Sequence, residues 1–350
     1  MDTFIIIKIF FLTTLAFVLS ILWTPLLTYF LYKYKLGKKI RTAESGAPIM
    51  AQMHEHKEGT PTMGGVLVWG TVLVFALVFY GLARWTDWDI LHRLNFLTRS
   101  QTLLPLGALV ASALVGLFDD ILNIKGIGAK GGGGLQMRYK LLIYTIIALV
   151  GAFWFYFKLD WDLIRVPFVG DFQIGWWYIP IFVFIIVATA NAVNFTDGLD
   201  GLAGGLLSSA FAAYGIIAFT QGRYDLATFC GVIVGALLAF LWFNINPARF
   251  FMGDTGSMSL GVTLGIVAML TNSVLLLPII GFLFMLETLS VIIQMCSKRF
   301  LKRKVFISAP LHHHLQALGW TEPKIVMRFW LIGMVMAFIG VIISLIDKIY

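Results

Sequence analysis

Apolar runs long enough to cross a bilayer alternate along this chain with short polar segments. Uninterrupted stretches lie near residues 4–31, 64–83, 102–118, 141–157, 175–192, 202–219, 226–243, 257–271, 274–295 and 329–346. A hydrocarbon core roughly 30 Å thick needs about 20 apolar residues per helix, so the pattern predicts about ten transmembrane helices. Only Thr271, Asn272 and Ser273 separate the eighth stretch from the ninth. The division there is the least defined, and a count of nine or eleven stays open. The expected fold class is all-α, a polytopic integral membrane protein with residues 1–350 forming one membrane-embedded domain. The first stretch has Lys8 near its start and no small-residue cleavage pattern, so it reads as a retained helix rather than a removed signal peptide.

Composition supports lipid as the solvent. Of 350 residues, 59% are hydrophobic and 13% charged, and the mean hydropathy is +0.88, far from the balance of a soluble domain. Cys230 and Cys296 lie far apart in apolar surroundings, which suggests neither a disulfide framework nor a thiolate metal site. Both read as packing residues. A net charge of +8 would suit a nucleic-acid partner, but the cations lie between hydrophobic runs rather than on one polar face. Topology accounts for them instead. Loops following odd-numbered stretches carry Lys33, Lys35, Lys38, Lys39, Arg41 and Lys57, then Lys125, Lys130, Arg138 and Lys140, then Arg249, and finally seven from Lys298 to Arg328. Those are 18 of the 26 Lys and Arg, so the positive-inside rule makes these loops cytoplasmic and both termini non-cytoplasmic.

The same division puts Asp119, Asp120, Asn194, Asp197, Asp200, Asp254 and His312, His313 and His314 on one face. Carboxylates at membrane-helix ends are costly to desolvate, so five at one depth call for a cation, a partner or a water-filled cavity. Asp119 and Asp120 close the third stretch, and neighbouring helical residues point about 100° apart, so one can face a site while the other supports it. Solvated acids at a helix end are the structural alternative. Asn194, Asp197 and Asp200 recur every third residue and would share a face if the turn stayed helical, while Gly198 and Gly201 permit close backbone approach. Polar, glycine-broken backbone at membrane depth favours a cavity, against an Asx-capped turn. Phe251-Met252-Gly253-Asp254-Thr255-Gly256-Ser257 opens the eighth stretch, downstream of Asn244, Asn246 and Arg249. Exposed amides and a glycine-flanked Asp suit phosphate with a hard cation such as Mg²⁺, although an N-capping Asp gives the same pattern. Consecutive histidines cannot easily direct three rings at one ion, so His312–His314 suit phosphate hydrogen bonding better than zinc. Lys57-Glu58-Gly59-Thr60-Pro61-Thr62-Met63-Gly64-Gly65 resembles a phosphate-gripping loop but lacks the Walker spacing, which weakens an ATPase reading.

Taken together, residues 57–65, Asp119-Asp120, 191–205, 244–261 and 309–320 resemble the phospho-N-acetylmuramoyl-pentapeptide transferase family of the polyprenyl-phosphate N-acetylhexosamine-1-phosphate transferase superfamily. The Asp-Gly-Leu-Asp-Gly element marks only the superfamily. Gly-Thr-Pro-Thr-Met-Gly-Gly and Pro-Leu-His-His-His point to the muramoyl branch. The resemblance implies a ten-helix bundle, often homodimeric, in the bacterial inner membrane, with Mg²⁺ in a cytoplasmic cleft. It implies transfer of phospho-N-acetylmuramoyl-pentapeptide from its UDP carrier to undecaprenyl phosphate, releasing UMP and forming lipid I for peptidoglycan synthesis.

By motif, the resemblance makes Asp254 the Mg²⁺ ligand together with Asp197, and places Asp119, Asp120 and Asp197 at the reaction centre. Asp119 would deprotonate or orient the lipid phosphate. A phosphate monoester is already largely dianionic at neutral pH, so a base contributes little; charge neutralisation by Mg²⁺, Lys57, Lys140 and the histidines contributes more. Asp200 and Phe251 would hold uracil near Asn194, Gly198, Leu199 and Asn244, with Thr62 and Lys140 also against substrate. Three departures leave the diphosphate contacts and the closing loop open: Asn123 where a basic residue is common, with Lys125 nearby; Gln316 where an acid often follows the histidines; and Gly131–Gly134 lengthening a loop. Competing readings are a sister enzyme transferring N-acetylglucosamine phosphate, a transporter, which would place its site at the midplane and show inverted repeats, and a non-catalytic membrane protein with remnant motifs. Attack through a covalent intermediate on a carboxylate such as Asp119 also stays open.

Overall fold

The computed structural model describes residues 3–37, 57, 59–129 and 133–349. Lys38, Lys39, Arg41, Glu58, Lys130, Gly131 and Gly132, named above, lie outside the described residues. Each apolar stretch forms helix. The long helices are α1 (Thr3–Lys33), α2 (Gly65–Trp85), α4 (Leu103–Lys125), α5 (Met137–Lys158), α6 (Tyr178–Thr196), α7 (Leu202–Thr220), α8 (Tyr224–Asn244), α9 (Asp254–Leu270) and α13 (Glu322–Ile346). Short helices α3 (Asp89–Leu94), α10 (Leu277–Ile280) and α12 (Leu311–Ala317) join them, and α11 (Phe282–Cys296) continues into a π-helical turn at Ser297–Leu301. Among the described residues, eight helices are long and apolar enough to cross a membrane, or nine if the broken pair 274–280 and 282–301 is counted as one.

The sequence pattern differs from the structure in three informative ways. The stretch 274–295 is not one rod: it bends by 82° at Gly281, so the second half, α11, turns from the axis of the first and packs against α6, α12 and α13. The eighth stretch forms only a 17-residue helix, α9, yet every residue from Thr255 to Leu270 is buried. At 1.5 Å per residue this is a post about 25 Å long, packed between α4, α6, α2 and α7. Lipid provides little hydrophobic drive between helices, so close packing and local hydrogen bonds must hold this post; Ser257, Ser259 and Thr263 return their hydroxyls to carbonyls one turn back. Finally, α4, α5 and α13 run past their apolar stretches, to Lys125 and from Met137 and Glu322 respectively. Asp119, Asp120 and Lys140 therefore sit within helices rather than in loops.

The end of the bundle opposite the acidic motifs carries a feature that periodicity did not predict. Leu163–Val166 and Gly170–Gln173 pair as an antiparallel hairpin, β1–β2. Arg165 Nε donates to Asp347 Oδ2 at 2.5 Å just beyond α13, and the Phe168 amide donates to Asp347 Oδ1 at 2.7 Å. Burial pushes the Asp347 carboxyl upward, but these donors outweigh it and hold Asp347 below its ordinary range. A depressed carboxylate stabilises the fold above its unfolded pKa and loses that contribution as pH falls through the folded one. Asp347→Asn is therefore expected to lower the melting temperature at neutral pH. The difference should shrink as pH falls below about 3.9, which thermal scans in detergent across pH would show. At the same end Lys8 is buried, bonded to Asp225 at 3.0 Å and the Asn95 carbonyl at 2.8 Å. Cys230 is buried as expected, whereas Cys296 is exposed on α11 and so does not serve core packing.

Candidate active site

Residues scattered from 62 to 194 meet at the start of α9, and a second group from 57 to 330 gathers around the 198–201 turn. Close backbone contacts set this up: a Cβ added to Gly116 would lie 2.4 Å from the Asp254 carbonyl oxygen, and one added to Gly65 would lie 2.3 Å from Gly256 Cα. Helices α4 and α2 can therefore lie against the first turn of α9 only without side chains there. The segment 61–65 zips onto 251–252: Phe251 N donates to Pro61 O at 2.8 Å, Gly64 N to Phe251 O at 2.7 Å and Gly65 N to Met252 O at 2.8 Å. Thr62 is buried in this seam, its hydroxyl beside Gly253.

Asp119 and Asp120 diverge as neighbouring helical positions should. Both are buried. Asp120 accepts from the amides of Asp254 and Thr255, each at 3.1 Å, satisfying two of the four donors that a helix start leaves unpaired. Asp119 points toward α5, where it accepts from Leu135 N at 2.5 Å and from Lys140 Nζ at 2.6 Å. Lys140 also reaches Asp254 Oδ2 at 2.5 Å, and Asn194 Nδ2 donates to Asp254 Oδ1 at 3.0 Å. One ammonium thus bridges two carboxylates from α4 and α9. Asn123 and Lys125 lie one to two turns beyond on α4, with Lys125 exposed.

The Asn194–Asp200 repeat does not remain on one helical face. Helix α6 ends at Thr196, Asp197 caps it with non-helical ψ of 54°, and Gly201 takes a left-handed φ of 80° to start α7. Asn194 consequently faces Asp254, while Asp200 faces another group of partners. Its Oδ1 accepts from Lys57 Nζ at 2.7 Å, and its Oδ2 accepts from Asn246 Nδ2 at 3.0 Å and Ala248 N at 3.1 Å. Asn244 fastens the turn, accepting from Gly201 N at 2.9 Å and donating to Phe250 O at 2.8 Å. Lys57 Nζ stands 5.8 Å from the Phe251 ring centroid. Asp197 and Gly198 are half-buried, and Leu199 is buried.

The histidines form part of α12. His312 is fully enclosed, with Nδ1 3.0 Å from Glu287 Oε2 and Nε2 against Gly198, where an added Cβ would come within 2.3 Å. His313 is also buried, its Nδ1 2.8 Å from Gln316 Oε1. His314 is half-buried, edge-on to Phe306, with a ring centroid distance of 5.4 Å. His312 therefore packs against the 197–201 turn at Gly198, whereas His313 and His314 meet Gln316 and Phe306.

Two acids that motif reading passed over join this assembly. Glu287 on α11 holds His312, and Glu322 at the start of α13 contacts both Lys57 and the Asp200 amide. Glu287 had a legible signal, being the only charged residue between 274 and 295; an ionisable group inside a span is a site hypothesis by default. Glu322 had no such signal, because an acid in the first turn of a helix is ordinary.

The arrangement thus gathers carboxylates and lysines, enclosed by helix ends and a zipped loop, at one end of a membrane bundle. Comparison with known proteins agrees with its motifs. Residues 102–272 match the Glycosyl transferase family 4 profile, and residues 57–67 match the phospho-N-acetylmuramoyl-pentapeptide-transferase signature 1. The phospho-N-acetylmuramoyl-pentapeptide-transferase of Chloroflexus aggregans is 42% identical over 348 residues, covering 96% of this chain and 89% of the relative. Its namesakes from Geobacillus sp. and Bacillus subtilis are 39% and 38% identical, covering 94% and 96% of this chain and 96% and 98% of their own lengths. With such identity along almost its whole length, and with the signature on the very loop that zips to the Phe251 segment, the chain belongs to the phospho-N-acetylmuramoyl-pentapeptide-transferase family.

Proposed function

We propose that this protein transfers phospho-N-acetylmuramoyl-pentapeptide from its UDP carrier to undecaprenyl phosphate, releasing UMP and forming lipid I. The reading is carried by the Asp119–Lys140–Asp254 bridge beside the Asp200–Lys57–Phe251 group, in a chain related to these transferases over 96% of its length. The first group suits a diphosphate and the second a nucleoside. Ten spans, with both termini outside and the site facing the cytoplasm of the bacterial inner membrane, fit the charge bias of the loops. A homodimer is part of the family reading.

The donor set suits Mg²⁺. Asp119 and Asp254 already share one cationic atom, at 2.6 and 2.5 Å. Hard carboxylate oxygens in such a pair match an ion that is commonly held by one or two carboxylates and completed by substrate phosphate. Asp254 is the proposed ligand, with Asp197 the second candidate. Bound there, Mg²⁺ would neutralise charge developing on the diphosphate.

In the reaction an acceptor phosphate oxygen attacks the sugar-linked phosphorus of the donor, and the bond from that phosphorus to the bridging oxygen breaks, so UMP leaves with the electron pair. Lys140 would follow the diphosphate as substrate displaces its contacts with Asp119 and Asp254. Asp119 has both oxygens engaged, by Leu135 N and Lys140 Nζ, which favours orientation of the acceptor over proton removal or covalent attack. Asp120 keeps the α9 amides ordered. Asp200, Leu199, Gly198 and Asn244 shape the uridine end with Phe251 as a stacking face, while His312, packed against Gly198, steadies that turn and His313 and His314 continue the same helix.

Donor choice tests the reading. Purified protein given undecaprenyl phosphate is expected to release UMP from UDP-N-acetylmuramoyl-pentapeptide and not from UDP-N-acetylglucosamine. Turnover of the second donor alone would move the protein to a sister activity.

A further inference from the structure

Glu322 makes contacts that a helix-start acid does not need. A carboxylate in the first turn interacts well with the helix dipole while exposed, yet Glu322 is only 9% exposed. Its Oε1 accepts from two other parts of the chain, Lys57 Nζ at 2.6 Å and Asp200 N at 2.5 Å. Eight residues along the same helix, Trp330 Nε1 donates to the Gly201 carbonyl at 3.1 Å. Helix α13 thus grips the 200–201 turn at two points and Lys57 at one.

The charges of this group explain why a second acid is useful. Lys57 lies between Asp200 and Glu322, with side-chain exposures of 9%, 4% and 8% respectively. Asp200 Oδ2 is already taken by Asn246 and Ala248, so Oδ1, the oxygen shared with Lys57, is the one available to turn toward a nucleobase imide N–H. Were Asp200 the sole partner, that exchange would leave a buried ammonium uncompensated, which is strongly unfavourable. Glu322 provides the other contact.

We infer that Glu322 is a positioning residue for the nucleotide end of the site: it keeps Lys57 neutralised and seated beside Phe251 while Asp200 engages the base. The inference rests on the proposed uridine-nucleotide donor. It predicts an effect on donor binding rather than on the phosphoryl-transfer step, since Glu322 touches neither Asp254 nor Lys140 among its hydrogen bonds and ion pairs.

Glu322→Gln keeps the size and an acceptor oxygen but removes the charge. Its KM for the UDP-linked donor is expected to rise about tenfold with kcat within about twofold of wild type, the pattern of lost uniform binding. The Kd for UMP, measured by calorimetry without lipid acceptor, should weaken by a similar factor. Lys57→Met combined with Glu322→Gln should lose less UMP affinity than the two single losses added together, because part of the acid's effect runs through the lysine and the rest through the Asp200 amide; full additivity would overturn the inference. If Glu322→Gln does not yield folded protein, Glu322→Asp is read by the same KM and Kd. Unchanged KM and Kd, or a fall in kcat alone, would overturn the inference. Wild-type protein that neither binds UMP nor turns over the donor would instead overturn the proposed function.

Discussion

Asp254→Ala is expected to reduce UMP release by about 1,000-fold, with no recovery at high Mg²⁺. Asp254 supplies the one carboxylate at the α9 start that meets both Lys140 and Asn194, so its loss removes the proposed metal ligand and one side of the charge bridge together. Electrostatic groups aimed at developing charge in a dry site contribute roughly 100- to 1,000-fold each, and this residue serves two such functions. Because Asp120 holds the α9 amides independently, the variant should keep its helix start and fold. Steady-state UMP release over a Mg²⁺ titration reads the effect. A variant within tenfold of wild type would remove Asp254 from the reaction centre.

Lys140→Met is expected to act in the opposite sense on metal and on rate. Without Lys140, Asp119 and Asp254 are left as two adjacent carboxylates with no bridging ammonium, an arrangement costing about 3–5 kcal/mol when a buried pair is broken this way. The excess negative charge should draw Mg²⁺ more strongly, so half-maximal activation should occur at lower Mg²⁺ than in wild type. Turnover should nevertheless fall by about 100-fold, because the cation that follows the diphosphate is gone. A lower rate with an unchanged or higher Mg²⁺ requirement would show that Lys140 does not compete for the same carboxylates.

Much of this architecture is readable from sequence because lipid imposes a simple rule: apolar stretches must form helices, and positive loops must sort to one side. That rule found the ten stretches and put Asp119, Asp120, Asn194, Asp197, Asp200 and Asp254 together at one end. It did not reveal the 82° break at Gly281, although Pro278 and Gly281 supply a local break signal, because an unbroken apolar run was counted as one span and the size of the bend is set by packing. Nor did it foresee that Asn194 and Asp200 part company, because a repeat of three implies one face only while the backbone stays helical, and the helix stops at Thr196. The roles within the Asp119-Asp120 pair were legible as a divergence of direction but not as an assignment, which depends on where α9 begins. Glu322 was hidden because its chemistry comes from Lys57 and Asp200, 265 and 122 residues away. The β1–β2 hairpin was missed for a plainer reason: its strands are four residues long and lie between two dominant apolar runs.

The most direct test is transfer of label from UDP-N-acetylmuramoyl-pentapeptide, labelled in the peptide, into a butanol-extractable lipid by purified protein in micelles containing undecaprenyl phosphate. Labelled lipid forming in step with UMP, and abolished by chelating Mg²⁺, is the predicted result. UMP release without label entering lipid, or transfer that continues at full rate after chelation, would contradict it.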